Sequence, residues 1–161
     1  TEAPLAPTPV IAVRLDLAGF TASWSHCGGL ADYVARFAAS DRFDPEALTT
    51  TIASHLNEVL EVLFHHVAVG WVDLTVRRAG AALAIACAVP VDEAQAAALR
   101  RIFAGLEGQG LRAEYLARLP RLLVEPVPEA GILEMAALHG VVPALVESAG
   151  RAVVTLTLDA E

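Results

Sequence analysis

The residues best placed to do chemistry are gathered in one stretch, His55-Leu56-Asn57-Glu58-Val59-Leu60-Glu61-Val62, followed closely by His65 and His66. A carboxylate such as Glu58, held on a helix beside a pocket, can serve as a general base that polarises water or a protein hydroxyl. Its simpler reading is a solvated helix carboxylate. Glu61 and His65 stand four residues apart on one helical face, a spacing that can chelate a transition metal. The sequence offers no second helix with matching ligands, and the spacing differs from the Glu-x-x-His of di-iron bundles. The three histidines therefore read as polar residues finishing an exposed face, and no metal is expected. His26-Cys27 could join a metal or nucleophilic site but has no partner in the sequence. His139, just before Gly140, is explained as a cation at a helix C-terminus.

The element that must carry this cluster is sharply defined. Asp44 is a good N-cap, Pro45 suits the first helical position, and Glu46 meets the positive end of the helix. From there the pattern runs to about His65 or His66. At 100° per residue, Ile52, Leu56, Val59, Leu60, Leu63 and Val67 form one apolar stripe. Asn57 falls on the polar arc away from Glu58, which predicts a surface or helix-packing role. Glu58 and Val62 are one turn apart on the flank of the stripe.

Around that helix the chain predicts a strand over Val10 to Leu17, a break at Gly28-Gly29, and a short helix from Leu30 to Ala39 with Leu30, Val34 and Phe37 on one face. A hairpin follows, with Trp71 to Arg77 and Ala81 to Val89 turning at Ala79-Gly80. Asp92-Glu93 starts a further helix that ends in glycines. Leu111 to Leu119 is a helix stopped by Pro120, and Ala130 to Leu138 one closed by Gly140. Two last strands, Pro143 to Glu147 and Ala152 to Leu158, join at Gly150. This order predicts a two-layer α/β sandwich, with helices on one face of a mixed sheet. Residues 1–9, rich in proline, read as a flexible leader rather than a signal peptide, and 10–161 as one domain.

Composition narrows the function classes. The net charge of −8 and pI near 5.0 repel phosphate backbones, so nucleic acid is not an expected partner. Every basic residue is arginine. The pairs Arg77-Arg78 and Arg100-Arg101 make no basic stripe, although arginine on an alanine-rich surface suits protein association. Mean hydropathy is +0.52. Even so, the longest apolar run, about Ala79 to Val91, is shorter than the roughly 20 residues a membrane span needs. Cys27 and Cys87 lack metal-like spacing, and Cys87, among alanines, isoleucine and valines, reads as a buried reduced thiol, pointing to a cytoplasmic setting. Trp24 and Trp71 read as core or interface anchors.

The element order, the Phe43-Asp44-Pro45-Glu46-Ala47-Leu48 start and the His-Leu-Asn-Glu-Val-Leu-Glu run together resemble the histidine-kinase-like (GHKL) ATPase superfamily. The likeness is greatest to its small bacterial branch of stand-alone ATP-binding regulators, related to anti-sigma-factor serine kinases. It extends from about Trp24 to Leu158 and implies a Bergerat-like sandwich. Members of that branch show a pattern like Asn-Glu-Leu-Leu-Glu-Asn-Ala on this helix, which Asn57, Glu58, Leu60 and Glu61 match. The second asparagine, a magnesium ligand in active relatives, falls at Val62, which has no oxygen to offer a hard cation. Active relatives resemble Gly-Leu-Gly-Leu-Leu where this chain has Glu129-Ala130-Gly131-Ile132-Leu133, and glycine amides there hold phosphate. Gly131 is kept, and the first glycine becomes Glu129. No Asp-x-Gly-x-Gly adenine motif follows the strand Ala81 to Val89.

The resemblance therefore implies a former nucleotide cleft lined by Glu58, Val62 and Gly131, with the reaction lost. It further implies a regulatory domain without cofactor that binds a protein, such as an anti-sigma-antagonist-like regulator, and that often dimerises. Two other readings stay open: an active ATP- and magnesium-dependent kinase or ATPase using Glu58 as base, and a small-molecule or metal-binding module in the old cleft.

Overall fold

The structure is a computed structural model, and it describes residues 8–20, 22–23 and 25–159. In chain order the elements are β1 (Thr8–Asp16), α1 (Leu17–Phe20), α2 (Ser25–Ala39), α3 (Pro45–His66), β2 (Trp71–Ala79), β3 (Ala82–Pro90), α4 (Glu93–Ala104), α5 (Leu111–Leu122), α6 (Ala130–His139), β4 (Ala144–Ser148) and β5 (Arg151–Asp159). The leader expected at the N-terminus falls mostly on residues 1–7, outside the described residues, as does Trp24. Thr8 and Pro9 already belong to β1, paired with Arg78 and Arg77.

The five strands form one sheet in the order β1-β2-β3-β5-β4. Every neighbouring pair is antiparallel, so the sheet is not mixed as the sequence suggested. The reason lies in the connections. The chain leaves β3 through three helices and lays down β4 at the edge, and a tight hairpin then returns β5 between β4 and β3. Ala149 (φ 48°) and Gly150 (φ 75°) make the two-residue turn of that hairpin, both in the left-handed region that a twisted hairpin favours.

Period-2 alternation sets the two faces of the sheet. Val72, Leu74 and Val76 of β2, Leu83, Ile85, Cys87 and Val89 of β3, and Val154, Leu156 and Leu158 of β5 all point into the core. The opposite face carries small residues in register, Ala12 beside Thr75 beside Ala86 beside Thr155 beside Ala144. That face is only half-buried or exposed, and the helices cover the apolar side. The result is the two-layer α/β sandwich the sequence predicts. Among the described residues no helix is long and apolar enough to cross a membrane.

α3 is the central helix of the helical layer. The Asp44 carboxylate accepts from the Ala47 amide at 3.1 Å, and Pro45 opens the helix. All six residues of the expected stripe are buried, and His55, Val62 and Phe64 join them. α3 is thus buried over a wider arc than one stripe, because α2 lies against one flank and α6 against the other.

Two helices depart from the sequence reading. Gly28 and Gly29 do not break the chain but sit inside α2, where Cys27, Leu30, Ala31, Val34, Ala35 and Ala38 are buried. Glycine costs about 1 kcal/mol in a helix interior, and the burial of that face offsets it. Phe37, expected on the same face as Leu30 and Val34, is instead 49% exposed. α5 continues through Pro120 to Leu122. A proline in the final turn removes only one backbone bond, and the Leu123 amide still reaches the Leu119 carbonyl at 3.0 Å.

α4 is fixed to the end of α3 by a capping box. The Gln95 amide donates to Asp92 Oδ1 at 2.8 Å, and Gln95 Oε1 accepts from the Asp92 amide at 2.9 Å. The same side chain donates through Nε2 to the His66 carbonyl at 3.0 Å, satisfying one of the orphan acceptors at the α3 C-terminus.

Candidate functional site

The expected cleft lies where α3 meets the first turn of α6, and there the two helices are in direct contact. The Glu58 side chain lies over the backbone of Gly131. A Cβ built at Gly131 would overlap the Glu58 carboxylate and come within 3.2 Å of its Cγ. Only glycine fits at 131 while Glu58 keeps this position. What remains beside the contact is a cavity of about 110 Å³, lined by Ser54, His55, Glu58, Gly131, Glu134, Met135 and His139.

The helical period explains the gathering. His55 precedes Glu58 by three residues and Glu134 follows Gly131 by three, so each pair shares a face, and the faces meet. The His55 and His139 rings are tilted at 50° with centroids 5.5 Å apart. Tyr115 of α5, itself buried, donates its hydroxyl to Glu134 Oε2 at 2.9 Å.

Burial decides the electrostatics of this cluster. It pushes the Glu58 carboxyl above the usual carboxylate range, helped by the charges of Glu61 and Glu134 and opposed by a hydrogen bond with Asn57. Burial also pushes His55 below the ordinary histidine value, and His139 adds to the fall. Tyr115 is raised, first by burial and then by Glu134. The site thus favours neutral forms of its acid and its buried base.

Val62 does not face this cavity. It is fully buried in the core together with Val59, Leu63 and the apolar side chains of the sheet. Asn57 takes the helix-packing role expected of it. Its Nδ2 donates to Glu61 Oε1 at 2.8 Å, and its Oδ1 lies in van der Waals range of a Cβ built at Gly28 of α2. Glu61 looks the same way and adds to burial in raising the Cys27 thiol to about 11. Cys87, enclosed in the sheet, is raised to about 12 by burial alone. Both cysteines are free.

The remaining candidates lie apart from one another. His26 is exposed and packs edge-on to Phe20 with centroids 5.6 Å apart, while its neighbour Cys27 is buried. His65 is exposed and its ring meets that of His66 at 5.2 Å. Trp71 is 55% exposed at the start of β2 and so is no core anchor. Among the described residues no group of three or more His, Cys, Asp or Glu side chains is arranged to hold a metal ion.

Glu129 stands at the N-cap position of α6, where its side chain makes no capping bond. It borders a second, larger cavity of about 340 Å³ between the end of α3 and α4, α5 and α6. Sequence reasoning missed Glu134, Tyr115 and this second cavity. The first was legible in principle, from its i+3 relation to Gly131. The others depend on how α5 packs, which no local pattern encodes.

Comparison of the chain with protein-family models, with curated proteins and with solved structures finds no match.

Proposed function

We propose that this protein is a non-catalytic regulatory domain with a degenerate histidine-kinase-like ATPase fold, acting by protein binding in bacterial signalling. The observation that carries the reading is the seat of Glu58 on Gly131. A space of about 110 Å³ is far below the roughly 300–1,000 Å³ of ordinary ligand pockets. A half-buried carboxyl at the point where a triphosphate would enter adds repulsion whenever it ionises. Val62, enclosed in the core, offers neither a ligand nor access to magnesium.

The outer side of the helical layer supports association instead. Tyr33 and Phe37, one turn apart on α2, are 56% and 49% exposed, and Phe43 just before α3 is fully exposed. Aromatic residues of this kind are enriched in the buried centres of protein interfaces. The expected partner is an anti-sigma-antagonist-like regulator or a second copy of the chain.

Calorimetry and thermal-shift titration with ATP and magnesium test the proposal. The expected result is no saturable binding. Tight nucleotide binding that Glu58→Gln abolishes would overturn it in favour of an active kinase or ATPase. Retention of a partner or of a dimer on size exclusion, lost on Phe37→Ser with Phe43→Ser, is the positive expectation.

A further inference from the structure

The cavity of about 340 Å³ is separate from the contact between Glu58 and Gly131, and its size falls within the range of small-molecule sites. Its walls come from four helices and the loop before α6. Ala98 and Ile102 of α4, Leu106, Val127, and Leu133 of α6 supply an apolar lining. Leu106 and Leu133 are buried and Ile102 is half-buried, so the lining is part of the packed helical layer rather than a shallow surface dent.

Charge enters from two helices. Arg101 of α4 and Arg118 of α5 both border the cavity, and both are exposed. Among the described residues Arg101 makes no ion pair, and Arg118 reaches Glu114 of its own helix only at 3.9 Å. Glu129 borders the cavity from the α6 side. His66 closes the end next to α3, and its Nε2 is buried with no hydrogen-bond partner among the described residues. Burial, His65 and Arg101 hold His66 below the usual histidine value, against Glu129, so it contributes a neutral ring. Two guanidiniums against one carboxylate leave one positive charge in an otherwise apolar enclosure.

We propose that this cavity binds a small organic monoanion with an apolar body, an aryl- or branched-alkyl carboxylate. Its hydrocarbon part lies against Ile102, Leu106 and Leu133, and its carboxylate lies between Arg101 and Arg118. Guanidinium forks match a carboxylate in shape as well as charge. A dianion would exceed the charge of the lining and meet Glu129, and a neutral ligand would leave Arg101 without an ion-pair partner.

The test is a titration of the full chain with 3-phenylpropanoate and 4-methylpentanoate, followed by backbone amide NMR, with 3-phenylpropanamide as the neutral analogue. At least one acid is expected to bind saturably, with shifts centred on Gly105, Leu106 and Val127, and the amide to bind more weakly. Loss of one charge-assisted bond predicts that Arg101→Gln and Arg118→Gln each weaken binding by about tenfold. Arg112→Gln, on α5 but outside the lining, leaves affinity unchanged. All three arginines are exposed, so the variants fold, which an unchanged melting temperature verifies. Failure of both acids to saturate at millimolar concentration overturns the proposal. So does equal binding of acid and amide, or full affinity in both lining variants.

Discussion

The carboxylate of Glu58 lies over the backbone of Gly131, so that the middle of α3 and the first turn of α6 touch through one side chain and one missing side chain. This contact couples two positions that are 73 residues apart in sequence, and the coupling is measurable. Gly131→Ala must displace the Glu58 side chain, an overpacking that costs about 1–3 kcal/mol. In a Glu58→Ala background the displaced group is gone. The same glycine substitution then gains helix propensity and stabilises by up to about 1 kcal/mol. Urea denaturation of the four proteins of the cycle checks this. Purely additive effects would mean that the two residues do not meet.

The raised proton affinity of Glu58 fixes the sign of a pH effect. Its carboxyl binds a proton more tightly in the folded chain than in the unfolded one. Between the ordinary carboxylate value and the higher folded value, the native state therefore holds more protons, and stability falls as pH rises. Glu58→Gln removes this dependence. The variant should be more stable than the parent at neutral pH, with the gain shrinking as pH falls from the raised folded value to the ordinary carboxylate value and lost below it. Asp73, held low by Arg14 and Arg151, contributes the opposite slope to both proteins and cancels in the comparison. Denaturation curves across acidic to neutral pH report the difference. A gain that grows on acidification would contradict the burial of Glu58.

Gln95 makes two hydrogen bonds with Asp92 at the start of α4 and a third that joins α4 to the His66 carbonyl of α3, and its substitutions separate them. Gln95→Ala loses the bond that its Oε1 accepts from the Asp92 amide and the bond that its Nε2 donates to the His66 carbonyl, while its backbone N–H still donates to Asp92 Oδ1. It should cost about 1–2 kcal/mol. Gln95→Glu can still accept from the Asp92 amide but has no donor for His66, so it should fall between the parent and the alanine variant. Thermal melts rank the three. If the glutamate variant is no better than alanine, the cap carries no stability of its own.

Much of this architecture was legible because it rests on local signals. Asp44-Pro45, the stripe from Ile52 to Val67, Asp92-Glu93, and Gly140 each mark a helix boundary or face by chemistry that acts within a few residues. The alternation through β2, β3 and β5 is equally local. What escaped is long-range. Gly28-Gly29 reads as a breaker until α3 is packed beside it, and strand direction depends on a return path through three helices. The site divides in the same way. The resemblance puts Glu58 and Gly131 at one expected cleft, but their direct contact is encoded by no local pattern. The small space left between them, and the inward position of Val62, depend on how closely α3 and α6 approach.

Val62 gives the sharpest test of the closed cleft. If it bordered an open nucleotide site, Val62→Asn would place an amide in solvent and restore an oxygen ligand for magnesium at little cost. In the structure Val62 is fully buried among apolar side chains. An asparagine there must bury a polar amide with no hydrogen-bond partner, a penalty of about 1–3 kcal/mol, in addition to the packing lost with the valine methyls. Val62→Thr, nearly isosteric, adds one hydroxyl that can bond back to the Glu58 carbonyl of its own helix, so its cost is smaller. The expected order of stability is therefore parent, then threonine, then asparagine, with no magnesium-dependent nucleotide binding in any of them. An asparagine variant as stable as the parent, or one that acquires saturable binding of ATP and magnesium, would place Val62 at an open cleft and reverse the reading of Glu58 and Gly131.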